Sequence, residues 1–159
     1  MATVRDVLLR KGFQVHRIHP SAPVLEALKL MAAHNIGALV VSDGSDLAGI
    51  VSERDYARKI ILKGRTSPET AVHRIMSTKV FCVRLEQTVE DCMAIMTSKG
   101  VRHLPVLEDN DVIGILSIGD LVKTIIDDKQ FIIEQLEHYI QGDLGAAAHS
   151  EQTWRRVSE

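Results

Sequence analysis

Residues 19–60 and 84–125 of the chain align with each other at a constant offset of 65 positions, without a gap. Identical pairs include Val24/Val89, Met31/Met96, Leu39/Leu104, Val41/Val106, Gly49/Gly114, Ile50/Ile115, Ser52/Ser117, Asp55/Asp120 and Ile60/Ile125. Most other pairs exchange one apolar residue for another, as in Leu28/Met93 and Ile36/Val101. A duplicated unit restricts the fold to two like pieces packed together, because neither is large enough to bury a good core alone.

The period of the apolar residues changes in the same order in each copy. A short extended stretch (15–18; 80–83) is followed by apolar residues at i, i+4 and i+7, namely Val24, Leu28 and Met31 or Val89, Met93 and Met96, which predict a helix. Two apolar strands follow, 38–42 and 47–51 joined by SDGSD, or 104–107 and 112–116 joined by EDND; Asp-Gly is a strong hairpin signal. A closing helix is expected over 53–62 and again over 118–126. The pattern is β-α-β-β-α twice, an α+β sandwich-like fold with pseudo-twofold symmetry. Short helical turns precede each unit, TVRDVLLR and TAVHRIM, and Gly64, Thr66, Ser67 and Pro68 mark the linker.

The expected organisation is a first repeat over 3–65, a second over 66–128, an amphipathic helix over 129–141 and a flexible tail over 142–159. In the helix, Phe131, Ile132, Leu136, Tyr139 and Ile140 share a face, which would cover apolar surface of the module or of a second subunit. In the tail, Trp154, Arg155 and Arg156 read as a frayed terminus rather than a contact point.

Charge and composition narrow the function. A net charge of -2 and 4% aromatic residues argue against nucleic-acid binding. The longest apolar runs fall short of a membrane span, and the N-terminus lacks a signal-peptide core, so a soluble, cytoplasmic protein is expected. Cys82 and Cys92 are ten apart and fit neither a disulfide framework nor a zinc motif; they read as reduced thiols. His16, His19 and His34 have no metal-ligand spacing. No nucleophile elbow, Walker loop or G-x-G-x-x-G occurs, and no enzyme activity is expected.

The duplicated stretch ends in GIVSERD (49–55) and GILSIGD (114–120), each at a strand-to-helix turn. Ser-x-x-Asp there is a capping box with Asp in place of Glu. Gly49 and Gly114, three residues before the serine inside an apolar strand, mark close approach by another backbone or a ligand. Helix amides, a hydroxyl and a carboxylate together suit a nucleotide: amides for phosphate, carboxylate for a ribose diol.

With V-R-H-L-P-V on the second strand of the second copy, these motifs make residues 3–128 resemble a tandem pair of CBS domains, a Bateman module of the stand-alone bacterial type. The resemblance implies adenosine-containing ligands, AMP, ADP or ATP first, NAD(H) or S-adenosylmethionine as alternatives, held in two clefts between the repeats. It implies one cleft of Ser52, Arg54, Asp55, Thr78, Phe81, Arg102 and His103, and another of Lys11, His16, Gly37, Ala38, Ser117, Gly119 and Asp120. The first is the stronger phosphate site: Arg54, Arg102 and His103 would meet phosphate oxygens and Phe81 the adenine face. Arg54 and Arg58, four residues apart on one helix, have a solvated face as their alternative reading. The second has Gly119, Gly37 and Ala38 where the first has cations, so its phosphates would meet backbone amides unless Lys11 or His16 turns inward. Its open space suits the nicotinamide side of a dinucleotide. The resemblance further implies a non-catalytic sensor, a homodimer paired through helices, and an unidentified regulated protein; the competing expectation is a scaffold with empty clefts.

Overall fold

The computed structural model describes residues 1–44 and 46–141. Ser45 of the first hairpin turn and the 142–159 tail, with Trp154, Arg155 and Arg156, lie outside the described residues. The chain divides into two units, Met1–Ile125 and Ile126–Glu159.

The first unit has the duplicated α+β architecture. Helix α1 (Val4–Lys11) leads to β1 (Arg17–Ile18), α2 (Val24–His34), β2 (Ala38–Asp43), β3 (Asp46–Ser52) and α3 (Glu53–Tyr56). A 3-10 turn, Val72–Arg74, leads to α4 (Val89–Lys99), β4 (His103–Glu108), β5 (Asp111–Ser117) and α5 (Ile118–Gln141), whose residues from Ile126 on belong to the second unit. Strand β2 pairs antiparallel with β3 and parallel with β1; β4 pairs antiparallel with β5. The two hairpins keep the same register at the 65-residue offset, Val41 opposite Gly49 and Val106 opposite Gly114, and a bulge follows Val41 and Val106 alike. In the second hairpin Asp109 and Asn110 both take positive φ, 48° and 69°, as a tight two-residue turn requires.

Three expectations meet corrections. The strand expected over 80–83 contracts to a single bridge, Val83 to Val106. Its counterpart β1 is fixed partly by the Val40 amide donating to the His16 carbonyl at 3.2 Å, whereas the matching residue, Pro105, has no N–H to give. The helix expected over 53–62 is α-helical only to Tyr56 and continues as a π-helix over Ala57–Ile61. The closing helix expected to end near Ile126 instead runs unbroken as α5 to Gln141, absorbing the separate helix expected over 129–141.

The apolar residues form two cores, and each is closed by the lead-in segment of the other repeat. Ile18, Met31, Leu39 and Val51 pack with Val72 and Ile75, which precede the second repeat. Leu85, Cys92, Leu104 and Leu116 pack with Val4, Val7 and Leu8, which precede the first. The exchange extends to the backbone. Helix α2 starts at Pro23 without a side-chain cap, and its first amides donate to Thr70 and Ser67 of the linker at 2.8 and 3.1 Å. In α4 the Val89 amide donates to Ala2 at 2.9 Å. Orphan helix amides are satisfied across the repeats, so neither repeat is complete without the other.

This exchange also accounts for the paired glycines. A Cβ on Gly49 would lie 2.6 Å from the Ser77 carbonyl oxygen, and one on Gly114 would lie 2.8 Å from the Leu8 side chain. The close approach is by the exchanged lead-in segments; Ile50 and Ser77 there form an antiparallel bridge.

In the second unit, Phe131, Ile132, Ile133, Leu136, Tyr139 and Ile140 are all exposed in the single chain.

Candidate ligand site between the repeats

Both Ser-x-x-Asp turns are complete capping boxes. The Ser52 amide donates to Asp55 Oδ2 at 2.9 Å and the Asp55 amide to Ser52 Oγ at 3.2 Å; at the second turn the same bonds measure 2.8 and 3.1 Å. Thr3 with Asp6 and Thr88 with Asp91 form the same box away from either turn. The motif is therefore first a way of starting a helix.

What surrounds the boxes differs. Beside Asp55 lies a cavity of about 600 Å³, within the range of small-molecule sites. Ser52, Arg54 and Asp55 line it from the first repeat, and Phe81, Arg102 and His103 from the second. Thr78 is exposed and sits between the lining residues Ser77 and Lys79 without lining the cavity itself. Gly37, expected in the other cleft, also borders this cavity; a Cβ there would stand 3.4 Å from His103 Nε2.

The polar groups of the cavity are already partly engaged. Arg54 donates to the Gly100 carbonyl at 3.1 Å, a bond from the first repeat to the last residue capping α4 in the second. Lys59 stands 3.2 Å from Asp55 Oδ1 and donates to the Ile75 carbonyl at 2.8 Å. The Phe81 ring has two ammonium groups over it, Lys79 at 5.7 Å and Lys99 at 5.5 Å, so it serves first as a cation–π platform and not as an open adenine shelf. His103 differs from the charged phosphate ligand expected of it. Burial, with Lys11, Arg102 and Arg54 nearby, outweighs the attraction of Asp120 and lowers its pKa to about 4. At neutral pH it is an uncharged hydrogen-bonding ring.

Arg58, for which a solvated face is the alternative, lines the cavity with Arg54, and so do Lys59 and Lys79, which the sequence does not single out. The signal for Lys59 was its place four residues after Asp55, the spacing of a helical ion pair. Lys79 carried no such signal, because only the fold brings its segment opposite Arg54.

In the second set Lys11 does turn inward, but onto the protein. Its ammonium lies 2.5 Å from Asp120 Oδ2 and 2.6 Å from the Ile115 carbonyl. Burial raises the Asp120 pKa, yet the Lys11 ion pair and the Ser117 bonds outweigh it and hold the carboxyl below its ordinary range. Gly119 stands open beside Ser117 Oγ. Ala38 is 3% exposed and offers its side chain to the interior. His16 is stacked on His34 with ring centroids 3.7 Å apart, and burial with the His34 and Lys11 charges lowers its pKa. The structure thus joins Lys11, Ser117 and Asp120, with Gly119 adjoining, while Ala38 is buried and His16 stacks on His34 within reach of the Lys11 charge.

Among the described residues no helix is long and apolar enough to cross a membrane, and no group of three or more His, Cys, Asp or Glu is placed to hold a metal. Cys82 and Cys92 are free thiols; burial raises both, Cys92 to about 11.

Two interlocked β-α-β-β-α repeats with a ligand-sized cavity between them define a paired α+β module. The CBS domain family matches the chain twice, over residues 4–62 and 72–127, and the chain belongs to that family as a tandem CBS pair. It is 44% identical over 149 residues to the Arabidopsis thaliana "CBS domain-containing protein CBSX3, mitochondrial", covering 88% of this chain and 72% of that one. A solved CBS-domain protein from Burkholderia ambifaria MC40-6 superposes with a TM-score of 0.77 at 48% identity, covering 80% of this chain and 96% of that one. The CBS pair of protein MJ0100, solved in complex with methylthioadenosine and S-adenosyl-L-methionine, shares the fold with a TM-score of 0.71 at 22% identity over 80% of this chain and 98% of that one. CBS domains are in general regulatory and not catalytic.

Proposed function

We propose that the chain is a non-catalytic regulatory module that binds an adenine nucleotide in the Asp55 cavity and signals to a separate protein through a change in how the repeats engage. The observation that carries this reading is the cavity of about 600 Å³ lined from both repeats by a hydroxyl, a carboxylate, guanidinium groups and apolar side chains. Ile50, Val80 and Val101 supply apolar wall for a purine, Asp55 Oδ1 faces Lys59 at a position suited to a ribose hydroxyl, and Arg54 and Arg102 suit phosphate. Adenosine-containing ligands in the MJ0100 pair support the ligand class. A ligand touching both repeats favours the arrangement that fits it, and that differential affinity is the signal.

The Asp120 turn is proposed as the weaker site: both box carboxylates carry an ammonium, but only Asp55 stands beside a cavity lined by further cations. Isothermal titration of the full chain with AMP, ADP, ATP and NADH tests both statements. Asp55→Asn should weaken binding by about tenfold or more, equivalent to about 1.4 kcal/mol, and Asp120→Asn far less. No heat with any of these at millimolar concentration leaves the scaffold reading in its place.

We further propose a homodimer through α5. Along α5 Ile126, Ile133 and Ile140 recur every seven residues, with Leu136 between the last two, the spacing of a seam that packs against its own copy. Light scattering should give twice the chain mass, and Ile133→Asp/Leu136→Asp should reduce it to one.

A further inference from the structure

The Asp55 cavity carries a surplus of positive charge. Arg54, Arg58, Lys59, Lys79 and Arg102 line it, against the carboxylates of Glu53 and Asp55. Lys59 and Asp55 neutralise each other at 3.2 Å. None of the other four cations forms an ion pair among the described residues. Arg54 has only the neutral Gly100 carbonyl, and Lys79 only the face of Phe81, which it shares with a further cation, Lys99. Glu53 alone is left to oppose them.

Like charges gathered around a concave cavity raise the local potential and attract anions. A single phosphate brings about two negative charges at neutral pH, which leaves part of the surplus unmet. Each added phosphate meets more of it, and the guanidinium groups can bind two oxygens of one phosphate at once. The same wall repels a sulfonium cation and gains nothing from an uncharged nucleoside.

Resting on the proposed nucleotide site, we infer that the Asp55 cavity selects nucleoside di- and triphosphates over the monophosphate, with Arg58 and Lys79 reading the added phosphates. Of the two, Lys79 belongs to the second repeat and Arg58 to the first, so a longer phosphate chain spans the junction more completely than AMP does.

The test is titration calorimetry of the full chain with adenosine, AMP, ADP, ATP and inorganic tripolyphosphate in matched buffer, for wild type and for Arg58→Gln/Lys79→Gln. The expected result is ATP binding about tenfold or more tighter than AMP in the wild type, ADP between them and tripolyphosphate weaker than ATP. In the double variant the ATP-to-AMP ratio should fall toward one. AMP binding as tightly as ATP in the wild type overturns the inference and leaves the nucleotide site standing. Tripolyphosphate binding as tightly as ATP, or no binding by any nucleotide, overturns the nucleotide site itself and the inference with it. The wild-type series decides the matter even if the double variant unfolds, which a thermal melt would reveal.

Discussion

The turns GIVSERD and GILSIGD perform the same structural task and differ in what they leave available. Each closes a capping box, each places an ammonium on the box aspartate, and each opens with a glycine that admits the other repeat's lead-in segment. At Asp55 the ammonium comes from Lys59, one turn along, and the neighbouring cations remain unmatched beside a cavity. At Asp120 it comes from Lys11 on α1, which also bonds the Ile115 carbonyl and so ties the turn to the N-terminal helix. Repetition marks what the fold needs; the positions where the copies diverge mark where a ligand can be chosen.

The strongest way to challenge this comparison is to disturb the exchanged segments. Leu8 is fully buried in the core of the second repeat, and Leu8→Ala should destabilise the chain by about 3 kcal/mol in urea unfolding. The same truncation removes the atoms that crowd Gly114. Gly114→Ala should therefore be nearly neutral in the Leu8→Ala background, a coupling that a double-mutant cycle measures directly. Additive losses would mean that Leu8 is not what Gly114 makes room for.

Next in size is the contrast between the glycines. Gly49→Ala must displace a backbone carbonyl at 2.6 Å and should cost about 2 kcal/mol; Gly114→Ala need only move the end of a leucine side chain and should cost about 1 kcal/mol. The reverse order would break the comparison.

Much of this architecture was legible in the sequence because duplication lets one copy check the other. The hairpins fell within a residue or two of expectation since apolar alternation is a local signal, strengthened by Asp-Gly. What escaped was non-local. Nothing in TVRDVLLR says that Leu8 serves the repeat further along the chain, and nothing near Pro105 reveals the carbonyl left without its amide. The glycines were recognised as close-approach positions, but whether chain or ligand approached them depended on that same exchange. At the site, residue types were readable and protonation was not: His103 looks cationic in sequence and is uncharged because of its surroundings. Lys11 was seen as able to turn inward, and the structure shows its partner to be the carboxylate itself.

His103 offers a pH-dependent form of the comparison, since the matching position is the untitratable Ala38. With a folded pKa of about 4 against an ordinary 6.5, the unfolded chain takes up this proton first. That contribution to stability is full above about pH 6.5 and is lost progressively as pH falls toward about 4. By about pH 5.5 the loss should be about 1 kcal/mol. His103→Gln should remove this slope relative to wild type, leaving only that of the other groups. An unchanged slope would mean that His103 is solvated and ionised like a surface histidine.

The smallest expected effect separates the two ammonium partners. Lys59 is the more exposed, with its side chain 39% accessible, and pairs along its own helix, so Lys59→Met should change stability by no more than about 0.5 kcal/mol. Each lysine also binds a carbonyl, but Lys11 makes the shorter ion-pair contact, is less exposed and joins α1 to a distant turn, so Lys11→Met should cost somewhat more, up to about 1 kcal/mol. The sign with pH follows from Asp120, whose folded pKa is depressed below the ordinary 3.8. A depressed carboxyl stabilises above its unfolded pKa and loses that contribution as pH falls through the folded value. The gap between wild type and Lys11→Met should accordingly hold from neutral pH down to about 4 and close below it. If it persisted in acid, Lys11 would be acting through the Ile115 carbonyl alone, and the two turns would differ in that only Asp55 carries an ammonium partner.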